Sequence, residues 1–192
     1  MLLKLSDICT VKAGHPFRGK IPEQPDGGAF AVQIRDVSED GDILWDQVIR
    51  TEINGRKTPD WLRPGHVLFA ARGQKNNAAL VESVPSQAVC APHFFLLEVK
   101  DDPVVVPSFL AWHLNQADSQ RYFAKAAQGS AQVNVTRAHL EAAIIAVPPL
   151  EKQLTIVKLY RAAIAEKKLH MALIENRTKQ LTAIAHQIMC DA

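Results

Sequence analysis

The chain has little cysteine. Cys9, Cys90 and Cys190 are odd in number and far apart, with no C-x-x-C and no histidine at ligand spacing. That excludes a disulfide scaffold and a zinc ribbon, and predicts reduced, mostly buried thiols. Long apolar runs are also missing: none approaches the ~20 residues of a membrane span. Met1-Leu2-Leu3-Lys4 leads straight into polar Ser6-Asp7 without a signal-peptide core, so a cytoplasmic location and no membrane partner are expected. The net charge of +2 gives no overall basic character from which nucleic-acid binding would follow. Catalytic signatures are lacking too: there is no GxxxxGK[ST], GxSxG or HExxH, and no Asn-Pro-Pro-aromatic run, so no catalysis is expected in this chain. Asp36, Asp40 and Asp42 read as solvated acids of a turn. The histidines (His15, His66, His93, His113, His139, His170 and His186) are scattered, and no metal is expected. Trp45, Trp61 and Trp112 lie among apolar neighbours and read as packing residues.

One absence organises the rest. Residues 150–189 contain neither proline nor glycine and are dominated by Ala, Leu, Ile, Lys, Glu and Gln, which predicts one long helix. Steps of seven from Val157 meet Ile164, Met171, Thr178 and Ala185; from Tyr160 they meet Lys167, Ile174, Leu181 and Ile188. Eight of these ten positions are apolar. A seam kept over four heptads calls for another helix against it, and Lys167 and Thr178 are the polar interruptions that set register or partner choice. At 1.5 Å per residue the helix would reach roughly 55–60 Å, longer than a small domain is wide, so it is expected to project as a coiled-coil arm.

The preceding part is β-rich. Strands are predicted at 29–34, 43–45, 66–71, 78–81, 88–90 and 94–99, with Asp40-Gly41 as a turn signal. Helices are predicted over 5–12, with Ser6 as N-cap and Gly14 as stop, and over 108–127, with Ser108 as N-cap and Gly129 as stop. Thr136 caps a short helix to 142, a strand follows at 143–147, and Pro148-Pro149 separates body from arm. The fold class is therefore α+β: a β-rich globular domain, 1–147, followed by a long helix, 148–192. Lysines and arginines number 15 against 16 acids in residues 1–150, and 7 against 4 in 151–192. Locally, Arg56, Lys57, Arg63, Arg72 and Lys75 follow the acidic group Asp36, Glu39, Asp40, Asp42 and Asp46, so a positive patch beside an acidic one is expected.

Several stretches, in order, resemble the DNA-specificity subunit of type I restriction-modification systems. They are Gly129-Ser130-Ala131-Gln132 with Leu140, then the strand Ile144-Ile145-Ala146-Val147 running into Pro148-Pro149-Leu150-Glu151-Lys152-Gln153 and the long helix. Arg63-Pro64-Gly65-His66-Val67-Leu68-Phe69-Ala70-Ala71-Arg72-Gly73 resembles the family's L-x-x-G-D-I-L strand, with His66 where Asp is common. Leu5-Ser6-Asp7-Ile8 with Gly14 resembles its opening helix. The resemblance implies a target-recognition domain followed by a helical spacer, in half-length form if Met1 is the true start. The partners it implies are double-stranded DNA, a methyltransferase (modification) subunit, a restriction subunit, and a second copy or another half-subunit across the helix seam. No cofactor is expected in this chain; S-adenosylmethionine and ATP would belong to the partner subunits.

Under that resemblance, two polar loops have the chemistry to read base edges. Gln74, Lys75, Asn76 and Asn77 form one, beside Arg72; Gln128, Ser130, Gln132 and Asn134 form the other. Lys and Arg pair with guanine, Asn and Gln with adenine. Arg18, Lys20, Arg56 and Lys57 suit phosphates. Two other readings stay open: a recognition domain from a single-chain restriction-methylation enzyme, and a coiled-coil interaction protein whose head binds protein or a small ligand.

Overall fold

The computed structural model describes residues 1–53, 58–73, 75–100, 104–126 and 134–190. The chain divides into two units, Met1–Leu154 and Thr155–Ala192.

In the first unit, β1 (Leu2–Lys4) pairs antiparallel with β9 (Ile144–Ala146), Leu3 opposite Ile145. The α1 helix (Leu5–Ile8) is a single turn, and β2 (Cys9–Ala13) follows at once. This corrects the expected helix over 5–12. Lys4, not Ser6, stands at the N-cap, and its backbone N–H donates to the Asp7 carboxylate at 3.1 Å. Residues 9–13 instead pair with β8 (Phe94–Val99), Cys9 opposite Val99 and Ala13 opposite Phe95. A long cross-strand ladder outweighs the weak local helix preference of a stretch containing Thr10 and Val11. Gly14 is no helix stop: a Cβ there would lie 2.1 Å from the Ala91 carbonyl oxygen, so the close approach of two chain segments requires glycine.

The main sheet is antiparallel in the order β2-β8-β5-β6, with β5 (Val67–Ala70) and β6 (Ala78–Leu80). Every residue of β5 is buried because both faces are covered. Leu68 and Ala70 join Ala79, Phe94 and Leu96 in a core shared with Val32, Val48, Leu62 and Cys90. Phe69 is also fully buried, and its ring lies 4.7 Å from that of Phe123 on α3 (Ala117–Ala126).

The second sheet places β3 (Ala29–Val32) between β4 (Arg50–Thr51), antiparallel, and β7 (Ala88–Cys90), parallel. Val32, Ala88 and Cys90 belong to the shared core, whereas Ala31 and Val89 join Ile21 and Ala91 beneath Phe17 and Trp61. The strand expected to reach 34 stops at Val32 because residues 34–36 and 45–47 form 3-10 turns, leaving only the bridge Val37 to Ile43. Asp36 organises this turn. Its carboxylate accepts the Gln33 N–H at 2.8 Å, and its carbonyl accepts the Leu44 N–H at 2.8 Å. Only 1 % exposed, Asp36 is not a solvated acid, and burial raises its pKa.

The helix expected over 108–127 is two helices, α2 (Pro107–Leu114) and α3, broken at Asn115-Gln116. Pro107 takes the first position, where a missing N–H does no harm, so Val106 rather than Ser108 is the N-cap. Gly129 lies outside the described residues. As expected, Thr136 caps α4 (Arg137–Glu141), its hydroxyl accepting the His139 N–H at 3.2 Å.

The α5 helix (Leu150–Cys190) runs for 41 residues, about 60 Å at 1.5 Å per residue. Its first turn belongs to the first unit through Gln153, which is fully buried. Gln153 Oε1 accepts the Val106 N–H at 2.9 Å, and Nε2 donates to the carbonyls of Val104 and Pro148, each at 2.8 Å. In the second unit every residue from 165 to 190 is exposed, Cys190 included, whereas Cys9 and Cys90 are buried with thiol pKa values pushed up to about 12 by desolvation. No described helix is long and apolar enough to cross a membrane.

Candidate nucleic-acid interface

The β5–β6 connection, residues 71–77, carries the first candidate loop. Arg72 and Lys75 are exposed and Asn77 is half-buried. Asn76 is a correction: it is 4 % exposed, and its Nδ2 donates to the Ala70 carbonyl at 2.8 Å. It closes the loop from inside and presents nothing to a base. Gln74 lies outside the described residues.

Residues from both candidate loops meet. Arg72 forms an antiparallel bridge with Asn134, and the Val135 N–H donates to the Ala71 carbonyl at 2.9 Å. Asn134 is half-buried beside the β5–β6 connection, while Gln128, Ser130 and Gln132 lie outside the described residues. Arg18 and Lys20 are exposed in the stretch that follows Phe17, which packs on Ile21, Ala31, Val89 and Ala91. Arg56 and Lys57 also lie outside the described residues.

Beside the connection is a cleft of about 350 Å³ lined by Ile34, Val37, Glu39, Ala70, Lys75, Asn77 and Phe94. Lys75 Nζ sits 2.8 Å from Glu39 Oε1. Of the basic and acidic groups expected to neighbour each other, Lys75 and Glu39 pair directly here, while Arg56 and Lys57 lie outside the described residues. With both side chains mostly exposed, 64 % and 79 %, the pair is weak and exchangeable. Its ammonium can move to a phosphate or a guanine edge. Glu39 was legible only as one acid among five; the fold selects it.

His66, the departure from the strand motif, is 7 % exposed, and its Nδ1 accepts the Arg63 N–H at 3.2 Å. A carboxylate could make the same bond. Burial lowers the His66 pKa against the opposing pull of Glu98, 3.8 Å from its Nε2, and so favours the ring form in which Nδ1 can accept. Trp45 packs on the shared core with its ring 6.0 Å from that of Phe30, Trp61 packs on the smaller cluster, and Trp112 lies 5.4 Å from Phe109. Among the described residues no group of three or more His, Cys, Asp or Glu could hold a metal ion.

On α5 the ten seam positions differ in cover. Val157 is buried, Tyr160 and Ile164 are half-buried, and Lys167, Met171, Ile174, Thr178, Leu181, Ala185 and Ile188 are exposed. The Thr178 hydroxyl donates to the Ile174 carbonyl at 3.0 Å, so this polar interruption is satisfied within its own helix. The heptad reading missed a second stripe: Leu159, Leu169, Leu173 and Ile184 are each more than half exposed.

The described residues thus form a β-rich α+β unit with a polar strand connection, and one long helix with exposed apolar stripes. The family model for the type I restriction modification DNA specificity domain matches residues 1–176, and the chain belongs to that family. The resemblance read from its motifs is borne out. Among solved structures, the HsdS subunit from Thermoanaerobacter tengcongensis is similar at TM-score 0.64 and 22% identity, over 90% of this chain and 44% of that one. A chain from a structure of type I R-M complex assembly and conformational transition matches at 0.61 and 19%, over 94% and 43%. The S subunit of a type I restriction-modification system from M. genitalium matches at 0.55 and 12%, over 83% and 37%. These are likenesses of fold, and the chain spans less than half the length of each.

Proposed function

We propose that this chain is a sequence-specific DNA-recognition subunit that directs a separate methyltransferase, and a restriction subunit where one is present, to a split target. Residues 1–147 act as the target-recognition domain and residues 148–192 as the spacer and pairing arm. The single observation that carries the reading is the polar β5–β6 connection, with Arg72 and Lys75 exposed, Asn77 half-buried and Arg72 bridged to Asn134 of the other candidate loop, in a chain of the specificity-domain family. Lys75 and Asn77 supply donors and acceptors for base edges. Arg72 suits a phosphate, as do the exposed Arg18 and Lys20, and Arg56, Lys57, Gln74, Gln128, Ser130 and Gln132 remain candidates from the sequence. Methyl transfer from S-adenosylmethionine and any ATP-driven step belong to the partners.

Two copies paired through Met171, Ile174, Leu181 and Ile188 would read two inverted, identical half-sites, because protein two-fold symmetry is mirrored in the DNA. A map of methylated bases across the source genome, with the gene present and deleted, tests this. Loss of methylation at a split motif with identical inverted halves is the expected result. Unlike halves would replace self-pairing with a different partner unit. No change, while the neighbouring methyltransferase is active, would overturn the reading and favour a coiled-coil interaction protein.

A further inference from the structure

The β5–β6 connection is held from behind by two amide side chains. Asn115, in the break between α2 and α3, meets Ala78 with both ends of its amide: Oδ1 accepts the Ala78 N–H and Nδ2 donates to the Ala78 carbonyl, each at 2.8 Å. Ala78 begins β6, the outermost strand of its sheet, so the side chain supplies there the bonds that a further strand would supply. Gln120, on α3, donates from Nε2 to the carbonyls of Asn76 at 2.9 Å and Leu114 at 2.8 Å. It thereby ties the connection to the end of α2.

The same point backs the opposite wall of the cleft. Gly41 has φ +86°, and a Cβ there would lie 3.0 Å from the Ala78 carbonyl oxygen and 3.7 Å from Asn115 Nδ2. The turn that carries Glu39 is therefore packed onto the Asn115–Ala78 pair. Asn115 lies behind both loops whose tips, Glu39 and Lys75, meet across the cleft mouth.

We propose that Asn115 and Gln120 are positioning residues for sequence reading. They touch no DNA, and they set how well Lys75 and Asn77 discriminate between bases by holding the β5–β6 connection in place. The proposal rests on the DNA-recognition function proposed above. Base-edge hydrogen bonds need their donors held within about 0.5 Å, whereas attraction between cations and phosphates tolerates displacement and carries no sequence information. A loosened brace should therefore weaken specific binding and spare non-specific binding. A merely structural role would lower stability and leave the discrimination of the folded molecules unchanged.

The experiment selects an enriched sequence from a random duplex library with the full chain, then compares that duplex with a scrambled one of equal length and composition. Asn115→Ala and Gln120→Ala, each shown to be folded by circular dichroism at the assay temperature, should bind the enriched duplex about tenfold more weakly, the loss expected for one or two hydrogen bonds. Binding to the scrambled duplex should change less than about twofold, with the same salt slope. Asn115→Asp keeps the acceptor but sets a second acceptor against the Ala78 carbonyl, and should not restore discrimination. Equal losses on both duplexes, or none, overturn the proposal. If Asn115→Ala does not fold, Gln120→Ala decides alone. If the unaltered chain enriches no sequence, the DNA-reading function itself fails, before any variant is compared.

Discussion

The two units of this chain place their side chains in opposite ways. In the first, apolar groups are inside and several amides are drawn in with them: Asn76 and Gln153 are buried, and Asn115, Gln120 and Gln153 make side-chain bonds to backbone groups. In the second, Leu159, Leu169, Met171, Leu173, Ile174, Leu181, Ile184 and Ile188 are each more than half exposed. The first unit buries most of its large apolar side chains, with Met1, Leu2, Ile144, Leu150 and Leu154 left more than half exposed. The second bonds its own backbone internally, as a helix does, and beyond the buried Val157 and the half-buried Ile156, Tyr160 and Ile164 it leaves its apolar side chains exposed.

The contrast breaks most visibly where a side chain is removed. Leu68→Ala, deep in the shared core, should cost about 2–5 kcal/mol, whereas Leu173→Ala on α5 should stay within about 0.5 kcal/mol for the monomer. Urea unfolding at low protein concentration measures both, and comparable losses would erase the distinction. Next in size is Gln153→Ala, which leaves the Val106 N–H and the Val104 and Pro148 carbonyls without this partner. A buried group left unpaired costs about 1–3 kcal/mol, so the unfolding midpoint should fall clearly despite the loss of so few atoms.

The proposed pairing through α5 gives a third test. Ile174→Glu with Leu181→Glu should raise the concentration needed for self-association at least tenfold in sedimentation, while circular dichroism of the first unit stays unchanged. Lys167→Leu should do the reverse and raise the melting temperature of the dimer, if Lys167 faces the seam. Smallest is a pH effect confined to the first unit. Burial is the largest cause lowering the pKa of His15, His66 and His113 from the ordinary 6.5. The unfolded chain therefore takes up protons first as pH falls. Stability should be intact above about 6.5 and decline below it, down to the folded-state pKa values. For His113 there is a matching contact, since its Nε2 lies 3.2 Å from the Ala146 N–H as acceptor. Urea midpoints that rise as pH drops from 8 to 5.5 would contradict this.

Much of the architecture was legible because it depends on local pattern. The long helix followed from the absence of proline and glycine, β5 and β8 from short apolar runs, and the α4 cap from Thr136. The failures share one cause. Residues 9–12, expected within a helix, are strand because β8 lies alongside. The helix over 108–127 breaks at Asn115 because that amide is engaged by Ala78, which is 37 positions away. Asn76 looked like a base reader because its neighbours are polar, and only the folded loop turns it inward.

By itself, then, the sequence determined the α+β class, the family, the helical arm and the polar character of the candidate loops. Each of these rests on composition, periodicity or short motifs, and needs no partner distant in the chain. The tertiary structure alone decided which polar residues face outward and which become braces. It also brought Arg72 to Asn134 and chose Glu39, among five acids, as the partner of Lys75. Such choices depend on where backbone groups lack partners after the sheets have formed, and no local pattern carries that information.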